Sequence, residues 1–169
     1  MDKEFVILVN EHDEPIGLME KMEAHQKGLL HRAFSILIFN SNGEMLLQQR
    51  ALSKYHSPGL WTNACCSHPR NGETILQAAN RRLSEEMGMN TPLTVKTHFI
   101  YKASFDNGLT EHELDYVLEG SSDVNPVINT EEVHAYKWIA MDDLRNWIKH
   151  EPTAFTVWFL ELFKQKILD

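Results

Sequence analysis

The sequence predicts an α+β chain in which helices lie on both sides of a mixed central sheet. Three observations predict it. Short apolar runs of strand character lie on both sides of one central segment, that segment carries an apolar stripe at helical spacing, and two further helical segments close the chain. A length of 169 residues with 43% hydrophobic content fits one domain over residues 1–169, large enough to bury a core without disulfide support.

The elements follow in order. Phe5 to Val9 is an apolar run between charges and reads as a strand. Glu20 to Lys27 reads as a short helix stopped by Gly28, a residue that tolerates the left-handed conformation in which many helices end. Ala33 to Phe39 and Glu44 to Gln49 flank Asn40-Ser-Asn-Gly43, whose Asn-Gly pair signals a hairpin. From Glu73 to Met87, residues Ile75, Leu76, Ala79, Leu83 and Met87 form an apolar helical stripe that Gly88 stops. Arg82 and Glu86 fall at the edge of that apolar arc rather than on the far, solvated face.

Strand-like runs come next, at Val95 to Ala103, Glu113 to Glu119 and Ala135 to Ala140. A Gly- and Asn-bearing turn at Phe105 to Leu109 and a polar loop from Ser121 to Glu132 separate them. Asp142 to Lys149 and, beyond Pro152, Phe155 to Ile167 read as the closing helices. If Glu111 to Tyr116 is extended, the period of two sends Glu111 and Glu113 to one face and His112 to the other.

A formal charge of −8 argues against a nucleic-acid surface, because phosphate-backbone binders carry a clustered basic face. No run of 18 apolar residues predicts a membrane span, and the apolar run near the N-terminus is too short for a signal peptide; a soluble, cytoplasmic, monomeric protein is expected. The two cysteines are adjacent, in Trp61-Thr-Asn-Ala-Cys-Cys-Ser-His-Pro69, and neighbours in sequence are poorly placed to bond to each other. From the residues alone, Cys66 reads as a small buried hydrophobe, the commoner fate of a lone cysteine, ahead of one reactive thiol.

The spacing from Glu73 through Arg81, Leu83, Glu85, Glu86, Gly88 and Met89 resembles a degenerate Nudix box, whose helix presents carboxylates to a cation gripping a diphosphate. Ser67 stands where the box opens with glycine, and Arg82 stands where the arginine should be followed by a glutamate. Those departures weigh against hydrolysis and suit a diphosphate that is held intact. With Arg50-Ala-Leu-Ser-Lys54, Pro58-Gly-Leu-Trp-Thr-Asn63, Cys66-Ser-His-Pro69 and Glu111-His-Glu113, the chain resembles the type I isopentenyl-diphosphate isomerases from its first strand to Trp158. The resemblance implies a Nudix-like α/β/α layered fold and an isomerase that interconverts isopentenyl and dimethylallyl diphosphate in isoprenoid biosynthesis.

It also implies a site. Cys66 and Glu113 are the expected proton-transfer pair, Tyr101 an accompanying active-site hydroxyl, and Trp158 the aromatic that faces a carbocation. His25, His31, His68, Glu111 and Glu113 correspond to a metal site, where three imidazoles and two carboxylates favour Mn²⁺ or Zn²⁺ over Mg²⁺. Lys21, Arg50, Lys54 and Arg82 are the expected diphosphate contacts, with Glu86 holding Mg²⁺ against the diphosphate. The other six histidines, among them His12, His56 and His112, are expected to be surface or core residues. Cys65 is expected to be structural, and Trp61 to wall the pocket or brace the cysteine loop. The two rival readings are a Nudix-type pyrophosphohydrolase and a non-catalytic, metal-stabilised binding module.

Overall fold

The computed structural model describes residues 3–168. Its strands are β1 (Phe5–Val9), β2 (Pro15–Glu20), β3 (His31–Phe39), β4 (Met45–Arg50), β5 (Trp61–Asn63), β6 (Cys65–Ser67), β7 (Thr94–Ser104), β8 (Thr110–Ser121) and β9 (Val133–Ile139). The helices are α1 (Lys21–Lys27), α2 (Ile75–Met87), α3 (Met141–His150) and α4 (Val157–Lys164), with a single 3₁₀ turn at Pro152–Ala154. Among the described residues no helix is long and apolar enough to cross a membrane.

The strand β3 organises the sheet. It runs parallel to β8 over its whole length, from His31 opposite Glu113 to Phe39 opposite Ser121, and antiparallel to β6, with Phe34 opposite Ser67 and Ile36 opposite Cys65. β8 in turn pairs with β7, and β4 joins β3 to β5 and β9, so the sheet is mixed. Even-numbered residues of β3 point to one face: Phe34, Ile36 and Ile38 pack with Ala79, Leu83 and Met87 of α2. Odd-numbered Leu37 points to the other face, into a second cluster with Leu144, Phe155, Phe159 and Leu162 from the C-terminal segments. The site lies on that second face, at the His31 end of β3.

Several boundaries differ from those the sequence predicts, each for a local reason. β2 was not expected, since Pro15-Ile-Gly-Leu-Met-Glu20 has little alternation; it forms by pairing antiparallel to β1 at the edge of the sheet. The cysteine stretch is two short strands rather than a loop. α2 starts at Ile75 because Thr74 caps it reciprocally with Gln77, and Glu73 is drawn outward to bind Arg81. Leu76, expected in the apolar stripe, is 42% exposed; Ala78 occupies the core instead. The last helix begins at Val157, where Thr156 accepts the Phe159 N–H, and ends at Lys164 rather than Ile167.

Gly28 and Gly88 end their helices at φ 65° and 61°, as a left-handed stop requires. Trp61 faces the second cluster, its ring 5.7 Å from that of Trp147, and does not line the cavity described below. Its carbonyl accepts from Thr156 N at 3.0 Å, so the residue braces the cysteine strands from behind.

Candidate active site

A cleft of about 880 Å³ opens on this face. Cys66, His68, Tyr101, Glu111, Glu113 and Trp158 line it, together with the expected diphosphate contacts Lys21, Arg50, Lys54 and Arg82 and the expected Mg²⁺ ligand Glu86. His25 and His31 are fully buried behind its wall.

Strand alternation answers what the adjacent cysteines are. Cys65 points into the α2 core and is fully buried, while Cys66 points into the cleft; both are free thiols. Cys66 lies opposite Ser35 on one side of β3, and Glu113 lies opposite His31 on the other side. The Cys66 thiol donates to Asn63 Oδ1 at 3.1 Å, and Asn63 Nδ2 donates to Ile36 O and Cys65 O at 3.0 Å each. Burial pushes the thiol well above its ordinary pKa, Asp115 adds to that, and the contacts with Ser35 and Asn63 only partly oppose it. The thiol therefore stands protonated.

Glu111, Glu113 and Asp115 share one face of β8, as the alternation predicts, and His112 lies on the opposite face with Nδ1 3.2 Å from Gly28 O. The Tyr101 hydroxyl lies 2.6 Å from both Glu111 Oε2 and Glu113 Oε1. A hydroxyl has one hydrogen, so both contacts are bonds only if one carboxyl carries a proton. Burial, and next the charge of Glu113, hold Glu111 well above the usual carboxylate range. Burial acts on Glu113 in the same direction, but the bond and charge of His68 and the Tyr101 bond outweigh it and hold Glu113 low.

The imidazoles are prepared as ligands. His25 donates Nδ1–H to Lys21 O at 2.7 Å and His31 donates Nδ1–H to Leu29 O at 2.9 Å, which leaves Nε2 of each as a bare lone pair. Both Nε2 atoms are buried without a hydrogen-bond partner. Burial lowers the pKa of His25 and takes that of His31 to about 4, so both rings are neutral. Ligand atoms of His25, His31 and His68 lie within 4.8 Å of one another. Glu113 Oε2 is 3.7 Å from His31 Nε2 and 3.1 Å from His68 Nε2, and Glu111 Oε1 is 4.0 Å from His25 Nε2. Two buried orphan nitrogens aimed at two carboxylates fit a divalent cation.

The expected diphosphate contacts are brought together with different degrees of freedom. Lys21 is paired with Glu4 at 2.7 Å, and the Arg50 guanidinium carbon lies 5.1 Å from the centre of the Trp158 ring. Arg82 is caged: it binds Glu85 at 2.9 Å, Glu86 at 2.7 Å and also Glu132. Burial acts to lower its pKa, but Glu86 and Glu132 hold it above the ordinary arginine value. Glu86 is also met by Gln48 at 2.9 Å. Lys54 sits 4.0 Å from Glu132, and burial lowers its pKa.

Sequence reasoning missed three members of the site. Asn63 stood inside a quoted motif without a role, and Asp115 continues the alternation of Glu111 and Glu113, which was the available signal. His56, expected to be an ordinary surface or core residue, is buried in the site with Nε2 3.5 Å from Glu111 Oε1; a lone histidine in a loop carries no periodic signal.

The NUDIX domain family matches residues 29–159. Isopentenyl-diphosphate Delta-isomerase 2 of Photorhabdus laumondii is 52% identical over 159 residues, spanning 94% of this chain and 90% of that protein. The isopentenyl-diphosphate Delta-isomerase of Pectobacterium atrosepticum is 53% identical over 154 residues, spanning 91% of this chain and 86% of that protein. Among solved structures, DR0079 from Deinococcus radiodurans superposes with a TM-score of 0.72 at 21% identity, covering 87% of this chain and 90% of that one. The NUDIX domain of Shewanella oneidensis NrtR, solved with ADP ribose, gives 0.62 at 18% identity, covering 88% and 97%. At these identities the structural likeness concerns the fold alone.

Proposed function

Because this chain belongs to the isopentenyl-diphosphate Delta-isomerase family of NUDIX-domain proteins, we propose that Cys66 and Glu113 carry out its reaction by moving protons on either side of β3. The enzyme interconverts isopentenyl and dimethylallyl diphosphate. The observation that carries the assignment of residues is the shared cleft: the free thiol and the buried carboxylate both line it, and the strand pairing sets them on opposite sides of β3.

An unactivated alkene has no proton acidic enough to remove first, so one group protonates it while a second removes a proton from a neighbouring carbon. The thiol held protonated and the carboxylate held ionised suit that division, and the two exchange roles when the reaction runs backwards. Tyr101 holds Glu113 in place through its hydroxyl and ties it to Glu111. The cation-like state between the two transfers needs a face that stabilises charge without attacking it. Trp158 supplies one, and its ring already accepts a cation in Arg50; such attraction is worth about 2 kcal/mol when desolvated.

His25, His31, His68, Glu111 and Glu113 would hold a divalent cation, and the three imidazoles make Mn²⁺ or Zn²⁺ the fitting choice. Bound there, it would lower the pKa of the coordinated carboxylates and fix their direction. Lys21, Arg50 and Lys54 would meet the diphosphate oxygens, the arginine in bidentate fashion. Glu86 would hold Mg²⁺ that arrives with the diphosphate, and Arg82 orients that carboxylate through its 2.7 Å bond.

The test is incubation of the metal-loaded protein with isopentenyl diphosphate in D₂O, followed by NMR. Deuterated dimethylallyl diphosphate is expected, with turnover lost in Cys66→Ala and in Glu113→Gln while the fold persists. Release of phosphate without isomer, or wild-type rates in Cys66→Ala, would overturn the reading.

A further inference from the structure

We propose that His56 is a positioning residue of the metal centre, holding Glu111 by donating Nε2–H to Oε1; this rests on the reading of that centre given above. His56 belongs to the loop between β4 and β5, yet it is only 6% exposed. Its Nε2 lies 3.5 Å from Glu111 Oε1, the same oxygen that lies 4.0 Å from His25 Nε2. Ligand-type atoms of His25, His56 and Glu111 all fall within 4.8 Å of one another.

The ring has little freedom to turn away. Phe105 stacks on it at 5.4 Å and 9°, and Tyr55 and Trp158 meet it edge-on at 4.3 and 5.5 Å. The backbone carbonyl of His56 accepts from Arg50 at 3.2 Å, which ties the loop to the end of β4. Glu111 then has Oε2 bonded by Tyr101 at 2.6 Å and Oε1 within 3.5 Å of the His56 donor.

The second ring nitrogen separates an orienting residue from a ligand. A ligating imidazole donates its other N–H to a carbonyl or carboxylate, as His25 and His31 do through Nδ1. Nδ1 of His56 is buried without a partner. A hydrogen on Nδ1 would be a buried, unpaired donor and would leave a lone pair at Nε2 facing a carboxylate; a hydrogen on Nε2 finds an acceptor instead. The tautomer that the surroundings allow points its donor at Glu111.

The experiment is Mn²⁺ titration of the full chain after chelation. It compares the unsubstituted protein, His56→Phe, His56→Gln, and His56→Phe combined with Glu111→Ala. His56→Phe keeps the stack on Phe105 but lacks the donor, and affinity is expected to fall roughly 10- to 100-fold. His56→Gln, whose carboxamide still donates, should recover most of that loss. In the Glu111→Ala background, which has no acceptor for His56, the His56→Phe substitution should change affinity little. Undiminished affinity in His56→Phe, a Gln variant no better than Phe, or an undiminished loss in the Glu111→Ala background would each overturn the proposal. An unsubstituted chain that binds no Mn²⁺ would overturn the metal centre itself, a failure distinct from the other three.

Discussion

The amide of Asn63 accepts the Cys66 thiol at 3.1 Å while both its hydrogens are committed to the carbonyls of Ile36 and Cys65. The amide cannot be flipped without leaving two buried carbonyls unpaired, so its oxygen must face the sulfur. Thr62 also donates to that oxygen, at 2.9 Å, and Thr156 donates to Thr62 at 3.0 Å, which links the thiol to the cap of α4. An acceptor fixed in this way favours the protonated thiol.

Alkylation should therefore separate the two cysteines. Iodoacetamide is expected to modify Cys66, which lines the cleft, and to spare the fully buried Cys65. Because burial raises the thiol pKa, the rate should keep climbing beyond pH 9, where an ordinary thiol of pKa about 8.5 levels off. Peptide mass mapping with a pH series of rates checks both points.

Tyr101→Phe removes the hydroxyl shared by Glu111 and Glu113 but touches none of the expected diphosphate contacts. The expected outcome is a fall in kcat of roughly 100-fold or more with KM nearly unchanged. Steady-state kinetics decide it; a rise in KM alone would assign Tyr101 to substrate binding.

The pH dependence of stability should show Glu73. Its carboxylate takes two bonds from Arg81, at 2.7 and 2.9 Å, and one from Arg70 N at 2.7 Å. The Arg81 bonds are the largest cause of a folded-state pKa below the usual value. A carboxyl lowered in the folded state stabilises above its unfolded pKa, about 4.3, and loses that contribution as pH falls through the folded value. Glu73→Gln should cost roughly 1 kcal/mol at pH 7 after solvent screening, and the difference should shrink as pH drops below about 4. Urea denaturation at a series of pH values is the measurement.

Gly88→Ala should destabilise the protein by roughly 2 kcal/mol, seen as a lower Tm. Residue 88 has φ 61°, and an added Cβ would come within 2.6 Å of Val127 O. Since Val127 N also donates to Met87 O at 2.8 Å, the loop cannot retreat without breaking that bond.

Much of the site was legible because alternation and helical spacing are local properties. Glu111 and Glu113 fall on one face of β8 from their spacing once the segment is extended, whereas the same rule separates Cys65 from Cys66 only in the structure, where a stretch expected as a loop forms β6. Helical spacing put Arg82 and Glu86 at the edge of the apolar arc, while the resemblance, not the spacing, marked them as site residues rather than a surface pair. Leu76 was misjudged because the wheel gives the arc but not how far the sheet covers it; in the structure that edge of α2 is left to solvent.

What the sequence determined by itself is which residues share a face, where helices stop, and which chemical groups are present, since each depends on backbone geometry over a few neighbouring positions. Tertiary structure alone decided that Glu132 joins the local carboxylates around Arg82, that Ile36 O fixes the Asn63 amide behind the thiol, and that His56 lies against Glu111. Those contacts, like the bond between Ser35 and Asp115, depend on how the strands pair and on the loops after β4 and before β9. Such pairing joins residues as far apart as Ser35 and Asp115, 80 positions along the chain, a separation over which no local periodicity survives.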